Sequence, residues 1–280
     1  MKTDPRCIPC FFQQAINLSK IMKLDENILK KILKETGLII NDITFEETPA
    51  EIGRRVYSMI SQITGVEDPY KSLKRESIET ALGLYPDLKE KVENSNDKLL
   101  SGIKYAVAGN IIDFGVGKEF DIHDEIDKAA TKQFAIFDYP EFKESLINAD
   151  SILYIADNAG ESVFDRLLIE QLHKPVLYVV REKPIINDLT YEDAVASGIP
   201  DHIKIISSGV TAPGTILKLC SDEFIEIYNN AEMIISKGQG NYEGLSGEPG
   251  NIFFLLKAKC ECVSEKLNVP LGSLILKKSE

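Results

Sequence analysis

The chain has 280 residues, 44% of them hydrophobic, and 32 basic against 44 acidic side chains give a net charge of −12. That much apolar material builds one large or two unequal domains, and the negative field excludes nucleic acid and anionic membrane as partners unless a local basic patch overrides it; no such patch is visible. An acidic protein that binds phosphate esters needs concentrated positive charge, which a divalent cation with one or two lysines supplies.

The first residues, Met1-Lys2-Thr3-Asp4-Pro5-Arg6-Cys7, carry no apolar signal region, and no later segment has the apolar length of a membrane span, so the expected location is cytoplasmic. From about residue 5 to 110 apolar positions such as Ile16, Ile21, Ile28, Ile32 and Leu33 recur at helical spacing. Breaks are expected at Gly37, Pro49, Gly65 and Pro86, and no strand is expected in this stretch. After a loop around Asp113 to Gly117 the texture changes to short apolar runs: Ser151 to Ala156, Pro175 to Val180, Ile203 to Ser207 and Met233 to Ile235. Each reads as a buried strand. Helical stretches at Ser162 to Leu172 and Thr215 to Tyr228 lie between them, which predicts a mostly parallel sheet covered on both faces. Phe253 to Leu256 adds a further strand before a closing helix that ends near Leu267.

In an open parallel sheet, ligands gather at the carboxyl ends of the strands. The polar residues fall there: Asp157-Asn158-Ala159-Gly160-Glu161 after the first run, Asn187-Asp188-Leu189-Thr190 after the second, Ser207 to Gly214 after the third, and Ser236-Lys237-Gly238-Gln239-Gly240-Asn241 after the fourth. One such segment alone reads as a turn with a helix cap; four at successive strand ends read as a site. Asp157, Asn158 and Asp188 offer hard oxygen ligands suited to magnesium, manganese or similar ions, and the scarcity of histidine near these loops argues against a zinc centre. Glu161 opens a helix, where it either complements the dipole or orients a ligand or a water. Lys237, between a strand and two glycines, is placed to reach a phosphate. Ser208, Gly209 and Thr211, before a helix expected to start near Pro213, form either an anion-binding nest or a plain turn. Phosphate-binding nucleotide loops, the dinucleotide glycine pattern, an Asp-x-Asp strand end and a Gly-x-Ser-x-Gly elbow are all absent.

Five ordered segments carry a more specific likeness: Arg6-Cys7-Ile8-Pro9-Cys10, Gly109-Asn110-Ile111-Ile112-Asp113-Phe114-Gly115, Asp157 to Glu161, Asn187 to Thr190, and Lys237 to Glu243. Together they resemble the metal-dependent damage-control phosphatase family, long known as a domain of unknown function, in its compact archaeal and bacterial branch. The resemblance runs from residue 4 to 275. It implies a helical domain over residues 1–110 against a three-layer α/β/α sandwich with a mostly parallel, Rossmann-like sheet over residues 111–280. It further implies a divalent metal ion (Mn, Ni, Co or Mg) and release of phosphate from a small phosphorylated metabolite, a sugar phosphate or a damaged phosphometabolite. Carried across by motif, Asp157, Asn158 and Asp188 are the metal ligands and catalytic residues, Asn110 and Asp113 line the cavity from the helical side, and Lys237 contacts the phosphate. Either a metal-activated water or Asp157 itself is the nucleophile.

Two pairs of thiols, Cys7 with Cys10 and Cys260 with Cys262, make either a four-thiolate zinc or redox site or buried structural thiols, the second being the expectation because the Cys-x-Cys spacing is unusual for zinc. His123 has no partner at ligand spacing and reads as a surface or helix-start residue. The rival functions are an S-adenosylmethionine-dependent carboxyl methyltransferase, whose usual glycine-rich loop is not found, and a non-catalytic sugar-phosphate sensor.

Overall fold

The structure is a computed structural model that describes residues 1–109, 126–128 and 131–280; Asn110, Asp113 and His123, and the expected domain boundary at residue 110, lie outside the described residues. Five helices come first: α1 (Cys7–Ile21), α2 (Glu26–Asn41), α3 (Pro49–Thr64), α4 (Lys71–Glu93) and α5 (Lys98–Ala108). Their starts are written in the side chains. Asp25 accepts from the backbone N–H groups of Asn27 and Ile28, Thr48 and Glu51 cap α3 reciprocally with Pro49 in its first turn, and Asp97 accepts from Leu100. Each such cap stabilises its helix by about 1 kcal/mol.

Gly65, left-handed at φ +69, ends α3 as expected. Gly37 and Pro86 do not break their helices: Gly37 lies inside α2 and Pro86 inside α4. Pro86 shares the exposed face of α4 with Leu82, whose carbonyl loses its N–H partner, so the buried stripe of Ile78, Ala81, Leu84 and Leu88 keeps the helix intact.

Seven strands form one sheet: β1 (Phe134–Phe137), β2 (Ile152–Ile155), β3 (Val176–Val180), β4 (Lys204–Ser207), β5 (Ile234–Lys237), β6 (Ile252–Lys257) and β7 (Leu274–Lys278), in the order β1-β7-β6-β5-β2-β3-β4. All pairings are parallel except β6 with β7. The five expected strands are β2 to β6. The two unexpected ones, β1 and β7, are short, and β7 follows the helix taken as closing; its Leu-Ile-Leu-Lys-Lys run is too brief to be told from a loop by periodicity.

Alternation along the strands sorts two cores. Ile152, Tyr154 and Tyr178 face one side, packing with α4, α5, α6 (Tyr139–Asn148) and α7 (Glu161–Leu172). Leu153, Ile155 and Val179 face the other, packing with α9 (Asp222–Asn229), α10 (Gln239–Leu245) and α11 (Glu261–Leu267). The result is the three-layer sandwich. Helices α1 to α3 form a third cluster, joined by Ile185 from the loop after β3. The helix expected over Thr215 to Tyr228 is replaced by one turn of 3-10 helix (Leu217–Leu219) and by α9, because Ser221 caps a fresh start by accepting from the Phe224 N–H. A short α8 (Tyr191–Ala196) follows β3. No described helix is long and apolar enough to cross a membrane.

The chain runs from β2 outward to β3 and β4, then returns to place β5 on the opposite side of β2. That reversal opens a crevice at the carboxyl ends of β2 and β5.

Candidate active site

Asp157 and Asn158 follow β2 directly, and Asp188 sits in the loop after β3. Backbone hydrogen bonds join these two loops: Leu189 N–H donates to Asp157 O at 2.8 Å and Ala159 N–H to Asn187 O at 2.9 Å, with Asn158 and Asp188 paired across an isolated antiparallel bridge. The sequence-predicted trio therefore stands side by side on a rigid backbone. All three are buried, at 7%, 6% and 3% exposure.

Asn158 donates its Nδ2 to Asp157 Oδ2 at 3.0 Å, which leaves the amide oxygen for another partner. Arg181, directly after β3, donates Nε to Asp188 Oδ2 at 2.8 Å and spends its other nitrogens on Thr215 Oγ1 and Asn241 Oδ1. Among the described residues nothing donates to the second oxygen of Asp157 or Asp188. Burial, and then the charge of Asp188, push the Asp157 carboxyl up; burial raises Asp188 as well, with Arg181 opposing it. Glu161, 2% exposed, is likewise raised by burial, and its Oε2 has no hydrogen-bond partner among the described residues.

Lys237, at the end of β5, is 1% exposed and bonds Asp165 of α7 at 2.6 Å, with Glu161 3.9 Å away. Tyr154 and Tyr178 donate their hydroxyls to the same Asp165 carboxylate at 2.7 and 2.8 Å. Burial pushes the Lys237 ammonium down, but Asp165 and Glu161 outweigh it, so its pKa is raised and the cation persists. The crevice floor thus alternates charges: Asp188 with Arg181, Asp165 and Glu161 with Lys237, and Asp157 in the field of Lys259.

Residues 3–275 match the family whose description is "Damage-control phosphatase ARMT1-like domain". The chain belongs to the damage-control phosphatase family. It is 35% identical to a damage-control phosphatase of Pyrococcus horikoshii over 100% of this chain and 99% of that one, and 32% identical to a damage-control phosphatase of Archaeoglobus fulgidus over the full length of both. The crystal structure of a DUF89 family protein from Pyrococcus horikoshii superposes with a TM-score of 0.92 over 100% of both chains, at 35% identity.

Within this damage-control phosphatase, Gly238 is required by the site itself. At φ +80, a Cβ on it would lie 1.9 Å from Asp157 Oδ2. Gly238→Ala is expected to destabilise the fold by about 2 kcal/mol or more and to displace Asp157, which urea unfolding and a phosphate-release assay read separately.

Three residues that hold or charge the candidate site are not singled out by the sequence: Arg181, Asp165 and Lys259. Arg181 had a signal, a charge immediately following an apolar run. Asp165 had only its place as an acid within an apolar helix. Lys259 follows β6, and its charge lowers the pKa of Asp157, Glu161 and Asp188 together. The Ser208 and Gly209 segment is not open as a nest: Ser208 is fully buried, its hydroxyl donates to Val180 O and accepts from Val210 N–H, and Gly209 N–H donates to Ser207 Oγ.

The structure brings the four thiols to one place, with Cys7 beside Cys262 and Cys10 within the field of Cys260. They are free, Cys10 is exposed and the others half-buried, against the expectation of buried structural thiols. Among the described residues no group of three His, Cys, Asp or Glu side chains is placed to hold a metal ion, so neither the thiols nor carboxylates alone make such a site.

Burial pushes the Glu243 carboxyl of α10 up to about 7. A raised acid holds its proton in the folded state while the unfolded chain has already ionised. Stability from this group is therefore full below about 4.5 and lost as pH rises to about 7. Denaturation curves at pH 5 and pH 8 are expected to show a smaller loss in Glu243→Gln than in the parent.

Proposed function

We propose that this phosphatase hydrolyses small phosphorylated metabolites, sugar phosphates or damaged phosphometabolites, with a divalent ion held by Asp157, Asn158 and Asp188. The observation that supports it is the backbone pairing of the two loops, which sets two buried like-charged carboxylates and an amide oxygen side by side at the sheet's reversal point. Burying both charges is costly without a cation, and hard oxygens suit Mg, Mn, Co or Ni. When bound, the ion supplies Lewis-acid neutralisation of charge on the phosphoryl oxygens.

The chain's own residues do the rest. Arg181 fixes the Asp188 carboxylate in one orientation and ties it to α10 through Asn241. Asn158 and Gly238 hold the Oδ2 side of Asp157, which leaves Oδ1 as its reactive or ligating atom. Lys237 adds positive charge beneath the crevice, where a low dielectric makes it effective on a developing phosphoryl charge. Glu161 Oε2 is placed to accept from a ligand or water.

A screen of phosphorylated metabolites for inorganic phosphate release, with Mg, Mn, Co and Ni each added to chelator-stripped protein, tests this reading. Turnover confined to metal-loaded protein is expected; binding of phosphate esters without turnover under every metal would identify a sensor instead.

A further inference from the structure

A cavity of about 550 Å³ opens between α3, the segment at residues 67–70 and the loops that follow β3 and β4. Its wall includes Tyr57, Tyr70, Ile185, Ile186, Arg54 and Lys183. The size suits a small organic ligand rather than a phosphate alone.

The cavity is built from the same loop that delivers Asp188. Ile185 and Ile186 lead straight into Asn187-Asp188, and Asp188 N–H donates to Ile185 O at 3.0 Å. Ile186 has φ +47, a left-handed conformation that is costly for a β-branched residue. Such strain persists where the surroundings over-determine it, and here the loop must turn Ile186 to the cavity within two residues of turning Asp188 to the crevice. Tyr57 and Tyr70 stand together on the facing wall, and Tyr57 lies within the field of Asp188.

Charge decides what the cavity takes. Among the described residues neither Arg54 nor Lys183 makes an ion pair or hydrogen bond. Of the acids on the rim, Asp68 is engaged by Lys74 at 2.9 Å, which leaves Glu67 against two unspent cations. Two cations on one cavity wall, unpaired among the described residues, favour an anion there within a protein of net charge −12.

We propose that this cavity receives the organic part of the substrate, and that Arg54 and Lys183 select phosphate esters carrying a second anionic group, a carboxylate or another phosphate. The assignment rests on the phosphatase reading above. Both side chains are exposed and, among the described residues, unpartnered, so Arg54→Gln and Lys183→Gln leave the described interactions of the fold in place.

The test measures kcat/KM for fructose 1,6-bisphosphate against fructose 1-phosphate, and for 3-phosphoglycerate against glycerol 3-phosphate, in the metal-loaded parent and both variants. The parent is expected to favour the doubly anionic member of at least one pair, and each substitution to reduce that ratio about tenfold. The pair that responds distinguishes a phosphate from a carboxylate as the second anion. Ratios that are the same in parent and variants overturn this inference alone, while a parent that releases phosphate from no ester overturns the phosphatase reading and this one with it.

Discussion

Asp157→Asn is expected to slow phosphate release by about 1000-fold while raising the melting temperature of the metal-free protein. The two effects share one cause. Asp157 and Asp188 are buried against each other, and Arg181 is committed to Asp188, so burial and the Asp188 charge make the Asp157 carboxylate costly to ionise in the absence of an ion, although the charges of Lys259, Arg181 and Lys237 favour it. Asparagine keeps the shape and can still accept the Asn158 hydrogen bond at the position now 3.0 Å from it, but carries no charge. The parent's rise in melting temperature on adding Mn, which reports binding to the folded state, is expected to shrink or vanish in the variant. Calorimetry with and without Mn, alongside the phosphate assay, checks both halves. A variant that melts lower than the parent without metal contradicts the electrostatic account of the site.

The largest expected stability effect lies at Lys237. Lys237→Met leaves Asp165 and Glu161 buried without their cation, and removing one partner of a buried pair costs about 3–5 kcal/mol. The double variant Lys237→Met with Asp165→Asn is expected to recover a good part of that loss, since the Asn oxygen accepts from one of Tyr154 and Tyr178, the present partners of Asp165, while its amide N–H can donate to the hydroxyl oxygen of the other. Urea unfolding of the parent, the single and the double variant measures the coupling directly. Activity is expected to stay low in both, because the charge beneath the crevice is gone whether or not the fold is restored.

Much of the site was legible because it obeys one rule: Asp157, Asn158, Asp188 and Lys237 each end or closely follow a buried strand, and a parallel sheet sends such residues to a common edge. Their partners obey no such rule. Asp165 reaches Lys237 from a helix across the sheet, a contact 72 residues apart in sequence that periodicity cannot carry. The single helix expected over Thr215 to Tyr228 divides because Ser221 caps a new start in its middle, which spacing alone does not show. The breaks at Gly37 and Pro86 failed for the opposite reason, since burial of the neighbouring apolar stripe outweighs a propensity cost of about 1 kcal/mol for glycine and the lost donor of an exposed proline. For β1 and β7, a short run at the sheet's reversed edge becomes a strand through its pairing partners, Leu276 with Phe137 and with Leu255, rather than through its own pattern.

Phosphate release is expected to depend on a divalent ion held by Asp157, Asn158 and Asp188. The most direct measurement of that dependence is the rate of phosphate release by chelator-stripped protein as Mg, Mn, Co or Ni is titrated back, in the parent and in Asp188→Ala. The account predicts no release from the stripped parent, recovery that saturates at about one ion per chain, and no recovery in the variant at matched concentration. Full release by the stripped parent, or equal recovery in parent and variant, contradicts it.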